Sequence, residues 1–177
     1  SGLIAEPGWR YACVTWLNLL ALKSNPPARA GMAPLNRAAN YFDVLRDAFG
    51  ATPNEMQVVL ALHAGAGRIA FNDAAWAKYG FGDRMGAVAK DPTTGKPAIR
   101  NIFASEAPGD PWSKIAVPVL QRRGAIFLFC NNVLRAMSAS QARQRNESVE
   151  SVRADLIASF LPGVVLGPAV VAATAMA

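Results

Sequence analysis

Between Gly124 and Cys130 lies an unbroken apolar run, Ala125, Ile126, Phe127, Leu128 and Phe129, which passes directly into a helical pattern. The run is too continuous for a strand wetted on one face and too short for a helix, so it reads as a strand buried on both faces. Residues 56–62 (MQVVLAL) have the same character. Strands of this kind need a covering layer on each side, and strand and helix signals alternate along the chain. The pattern predicts an α/β fold with a mainly parallel sheet. It also places Cys130 at the carboxyl end of its strand, the edge where ligands and reacting atoms gather and where the next helix aims its free N–H groups. Cys130 therefore has two readings, a thiol that such an edge favours as thiolate or one more small buried residue.

The flanking segments fit this frame. Residues 9–16 (WRYACVTW) read as a strand that ends before Asn25, Pro26 and Pro27 break the chain. Leu35, Ala38, Ala39, Phe42, Leu45 and Phe49 recur at helical steps, with Pro34 in the first turn and Gly50 placed to end the helix. The stretch HAGAGRIA then puts Gly65, Gly67 and Ala70 at the spacing of a dinucleotide loop, but no acidic strand follows. The glycines serve equally to let a helix pack closely on the sheet. His63 ends its strand beside this loop, as a general-base candidate on the edge that carries Cys130 or as a hydrogen-bonded edge residue.

Residues 80–111 are rich in Gly and Pro and lack periodicity, which predicts a long loop insertion of the kind used as a lid, binding loop or assembly arm. Residues 112–123 read as a helix that Pro118 either kinks or starts, and a short helix over 131–137 is expected before the polar stretch 138–146. Ser148 is placed to cap a helix bearing Val149, Val152, Leu156, Ile157 and Phe160. A last short strand over 164–166 and the start of a helix after Gly167 and Pro168 complete the pattern.

Composition narrows the function classes. The chain of 177 residues is long enough for one domain with a sizeable core, and 52% hydrophobic residues exclude a disordered chain. No apolar run approaches the roughly 20 residues that span a bilayer, so no membrane span is expected. The net charge of +6 favours an anionic partner, but the basic residues are scattered, and nucleic acid is not expected. Two cysteines, Cys13 and Cys130, with the single His63 make no zinc ligand set of the usual kind, so neither a metal nor a cofactor is predicted. Ser1 in place of an initiator Met suits a secreted product whose signal peptide has been removed, or a cloning remnant. The expectation is a periplasmic or secreted protein, and a cytoplasmic one otherwise.

Five stretches carry a resemblance: residues 35–45 (LNRAANYFDVL), 57–82 (QVVLALHAGAGRIAFNDAAWAKYGFG), 91–101 (DPTTGKPAIRN), 120–135 (LQRRGAIFLFCNNVLR) and 161–177 (LPGVVLGPAVVAATAMA). In these the chain resembles the DsrE-like family of small sulfur-handling α/β domains, in particular its secreted branch with twin-arginine signals. The resemblance implies a single domain over 1–177, a three-layer sandwich around a mostly parallel sheet, and assembly into trimers or hexamers. In the sulfur-relay members the persulfide-carrying cysteine follows this same strand, which corresponds to Cys130. Arg135, a little over one turn further on, could add positive charge or lie on the solvated face. The chain departs from the relay pattern in having no second cysteine beside Cys130, in carrying Asn131 and Asn132 there, and in stopping where the family continues into a last strand.

Two functions follow as expectations. One is a sulfur-transfer or thiol-redox module in which Cys130 takes sulfur from a donor protein and passes it to an acceptor. The other is a non-catalytic binding or assembly subunit of a homo- or hetero-oligomer.

Overall fold

A computed structural model describes residues 11–18 and 33–168 of the chain. Among the described residues its sheet has four strands, β1 (Tyr11–Asn18), β2 (Met56–His63), β3 (Ala125–Cys130) and β4 (Val164–Gly167), all parallel and adjacent in chain order. The α/β architecture with a parallel sheet agrees with the sequence pattern. Five of the six β3 residues are buried, and since successive side chains point to opposite faces, both faces of this strand are covered.

Helix α1 (Ala33–Phe49) joins β1 to β2 and buries Leu35, Ala38, Phe42 and Leu45. It is tied to the segment that leads into β3 by Arg123, which follows α4 (Val117–Arg122). The Arg123 Nη2 group donates to the Ala39 carbonyl at 3.1 Å and to Asp43 Oδ1 at 2.6 Å. Pro118 stands in the first turn of α4 and so starts that helix rather than kinking it. Gly124 then enters β3 with φ +104°, and a Cβ there would lie 2.4 Å from the Met56 carbonyl oxygen. Only glycine fits where the starts of β2 and β3 come so close.

Two expectations are corrected. The helix after Cys130, α5, runs over Asn131–Arg145 and does not stop at Met137. Its polar half continues the helix because Ser138 and Gln141 are buried and held: Ser138 Oγ donates to the Leu134 carbonyl at 2.8 Å, and Gln141 Nε2 to the Tyr79 carbonyl at 3.5 Å. Helix α6 (Val149–Ala158) then packs against α5, capped by Ser148 Oγ, which accepts from the Ser151 amide at 3.1 Å.

Residues 80–111 are likewise more than a loop. Helices α2 (Asp73–Tyr79) and α3 (Phe81–Met85) precede an irregular stretch that is knitted into the core. Asn101, 1% exposed, donates from Nδ2 to the Ile69 and Phe71 carbonyls at 2.9 and 2.6 Å and accepts from the Phe103 amide at 3.0 Å. Its side chain replaces the ladder that a strand would have supplied, so the backbone polar groups stay satisfied without regular structure. Arg100 closes on Asp110 through paired hydrogen bonds of 2.9 and 2.7 Å.

The aromatic core gathers at Phe71. Its ring centroid lies 5.3 Å from Phe81, 5.4 Å from Phe129 and 5.1 Å from Phe160. The backbone seals the same seam, with the Asn72 amide donating to the Ser159 carbonyl at 2.9 Å and the Leu161 amide to the Ala70 carbonyl at 2.7 Å.

Two predictions test this frame. Asn101→Ala leaves two buried carbonyls and one amide unpaired and is expected to cost about 2–4 kcal/mol in urea unfolding; a cost under about 0.5 kcal/mol would refute the anchoring role. The second concerns pH. Hydrogen bonding to Arg100 holds the Asp110 carboxyl below the usual carboxylate range, against the opposing effect of burial. Its contribution is complete above the ordinary carboxylate pKa and is lost as pH falls through the lowered value. Asp110→Asn should therefore reduce stability at pH 7 and flatten the acid limb of the stability curve; parallel acid limbs would show that the pair contributes nothing.

Candidate functional site

Because the strands are parallel, their last residues share one edge. Leu62 pairs with Phe129, so the next residues, His63 and Cys130, end their strands side by side, with Asn18 opposite His63 and Gly167 opposite Cys130. Neighbouring strands lie about 4.8 Å apart, and residues in register share a face. The backbone thus brings together two of the three residues singled out in the sequence.

Their side chains are not hydrogen-bonded to each other among the described residues. Cys130 is a free cysteine at 2% exposure. It occupies the N-cap position of α5 with extended dihedrals, yet its side chain makes no capping hydrogen bond. Among the described residues no hydrogen bond joins the partly buried His63 imidazole to the thiol, nor does that ring make the edge hydrogen bond that was its alternative role. A thiol in an apolar setting without a donor or an access path has the surroundings of a packing residue.

Arg135 goes elsewhere. It is exposed and lines a cleft of about 540 Å³ between α5 and α6 with Ser138, Val149 and Arg153. Arg153 Nη2 donates to Asn131 Oδ1 at 2.8 Å. Cys13 cannot reach Cys130 either. It is opposite Val58, which is opposite Ala125, five residues before Cys130. The Cα separation is roughly 19 Å by strand spacing and rise, far beyond the about 7 Å that a disulfide tolerates.

The glycine-rich stretch folds as a 3₁₀ helix, Ala64–Ala70, and not as a dinucleotide loop opening a long helix. Gly67 is buried, and a Cβ there would stand 2.9 Å from two Phe129 ring carbons and 3.3 Å from a Val133 methyl. Its lack of a side chain serves close packing, the second of the two roles open in the sequence.

What the motif reading overlooked is the arginine inside that stretch. Arg68 is partly buried between Gly67 and Ile69, and with Arg84 it lines a cavity of about 260 Å³ beside Phe81, Val133 and Met137. Its Nη1 donates to the Gly65 carbonyl at 3.3 Å, while its Nε is buried without any partner. Burial, and secondarily the charge of Arg84, push the Arg68 pKa down. The available signal was an arginine inside an otherwise small and apolar motif.

Among the described residues no group of three His, Cys, Asp or Glu side chains is placed to hold a metal, and no helix is long and apolar enough to cross a membrane. No family model, curated protein or solved structure matches the chain.

The environment of Cys130 predicts its reactivity. In the native protein at pH 7, peptide mapping after iodoacetamide treatment should find Cys130 alkylated at least about 100-fold more slowly than in the unfolded chain, since reaction requires an exposed thiolate. Comparable rates would mean that the thiol is accessible and activated.

Proposed function

We propose that this chain is a non-catalytic binding and assembly subunit built on a DsrE-like three-layer α/β sandwich, with Cys130 as part of its core. The layering is supported by β2 and β3, whose successive residues are mostly buried on both faces. The observation that carries the assembly reading is β4. Among the described residues this strand pairs with β3 alone and is an outer strand of the sheet. Val165 and Leu166 point to opposite faces of it and are 37% and 36% exposed. An outer strand with apolar side chains and unpaired backbone groups is a template for another strand. The occupant we assign is a second copy of this chain, meeting β4 as its own edge.

A second reading, persulfide carriage on Cys130, is favoured by the position of that residue at the start of the 15-residue helix α5 and beside His63. It requires a motion that uncovers the sulfur, because thiol exchange needs direct access to the attacking atom. A reducible added sulfur on Cys130 in natively purified protein would put this reading first.

Sedimentation equilibrium of the full chain at micromolar concentration is expected to give a dimer or higher oligomer. Val165→Lys with Leu166→Lys should shift it to monomer while leaving the far-UV circular dichroism unchanged, since charged residues on an edge block strand addition. A wild-type monomer, or an oligomer indifferent to both lysines, would overturn the assembly reading.

A further inference from the structure

The assembly reading leaves the Arg68 cavity unexplained. We propose that this cavity, an open cleft lined by the 3₁₀ helix 64–70, α3 and α5, is a binding site for a small tetrahedral oxyanion of the phosphate or sulfate type.

The first argument is charge. Two guanidinium groups, those of Arg68 and Arg84, line one small cavity, and among the described residues no carboxylate lines it with them. The groups that hold the arginines are neutral: the Gly65 carbonyl accepts from Arg68 Nη1, and Gln144 Oε1 accepts from Arg84 Nη2. Like charges in a partly desolvated space repel more strongly than in water. An anion between them removes that repulsion.

The second argument is hydrogen bonding. A buried guanidinium N–H without a partner is uncommon, because the unmade bond leaves its full desolvation cost. Arg68 Nε is such a group. A fork of guanidinium donors matches the oxygen spacing of phosphate and sulfate, and bidentate pairs of this kind are among the stronger hydrogen bonds in proteins. Ser140 adds a hydroxyl to the same wall.

The third argument is size and setting. At about 260 Å³ the cavity is smaller than the clefts that take drug-sized ligands, which start at about 300 Å³. Phe81, Val133 and Met137 supply apolar walls, which strengthen the attraction of the cations for whatever anion enters. Arg135 and Arg153 offer a competing location, in a cleft about twice as large where Asn131 holds Arg153 Nη2 while Nη1 is likewise buried without a partner. It is the natural control.

The test is isothermal titration of the full chain with inorganic phosphate and, separately, sulfate, in chloride buffer of matched ionic strength. The expected result is one saturable site for at least one of the two anions, with a matching rise in thermal midpoint. Arg84→Gln, at an exposed position, should weaken binding at least about tenfold through loss of a charged donor. Arg68→Met should abolish binding and hold or raise the midpoint in chloride, because it retains the apolar stem and removes an unpaired charge. If Arg68→Met does not fold, Arg84→Gln alone carries the test. The proposal is overturned by absence of binding up to about 10 mM of both anions, by binding unchanged in Arg84→Gln, or by binding that survives Arg68→Met and is lost in Arg153→Met. The oligomer measurement is separate, so either inference can fail alone.

Discussion

Packing of Phe71 against Phe129 and Phe160 is the interaction on which the rest depends. Phe129 comes from the central sheet, Phe71 from the connection after β2, and Phe160 from the turn after α6, so one aromatic cluster holds three distant parts of the chain. Aromatic pairs of this kind add about 0.5–1.5 kcal/mol beyond the area they bury, but their structural effect reaches further. Ile69, Ala70 and Phe71 are fully buried in sequence, and Gly67 is pressed onto the Phe129 ring. Arg68 sits between these anchors and has no freedom to draw its backbone outward. Core packing thereby fixes a charge where solvation alone would not put it.

The same seam explains how an irregular connection between β2 and β3 remains ordered. Asn101 binds the carbonyls of Ile69 and Phe71, the segment that the aromatic cluster immobilises. Its backbone amide donates to Asp73 Oδ1 at 2.8 Å, at the start of α2. A single buried amide side chain thus converts a stretch without secondary-structure pattern into part of the core. Buried polar groups stabilise only when satisfied, and this one has partners for both donor hydrogens and its acceptor.

This division between pattern and tertiary contact sets what was legible in the sequence. The strands ending at His63 and Cys130, the helix after Pro34 and the Ser148 cap were legible because hydrophobic period and capping residues are local signals. The parallel order of the strands also put His63 and Cys130 on a shared edge. The length of α5 was not legible, since Ser138 and Gln141 look like solvent-facing residues and are in fact buried, Gln141 with a hydrogen bond to Tyr79 outside its own segment. Asn101 was hidden for the same reason. Burial of Cys130 and the absence of a hydrogen bond between it and His63 depend on what covers the edge, which strand spacing does not encode.

The glycine spacing at Gly65, Gly67 and Ala70 drew attention to backbone, and the chemistry lies instead in the side chain between them. A partly buried arginine with neither a carboxylate nor a full set of hydrogen bonds is a standing cost to the folded state. A methionine or leucine of similar length would fill the same space without that cost. Arg84 aggravates it, because a second positive charge faces the same cavity and lowers the Arg68 pKa further. The two charges repel each other and jointly attract an anion that lies between them. The arrangement that weakens the free protein is the one that strengthens its complex, so the energetic balance of this site turns on whether the anion is present.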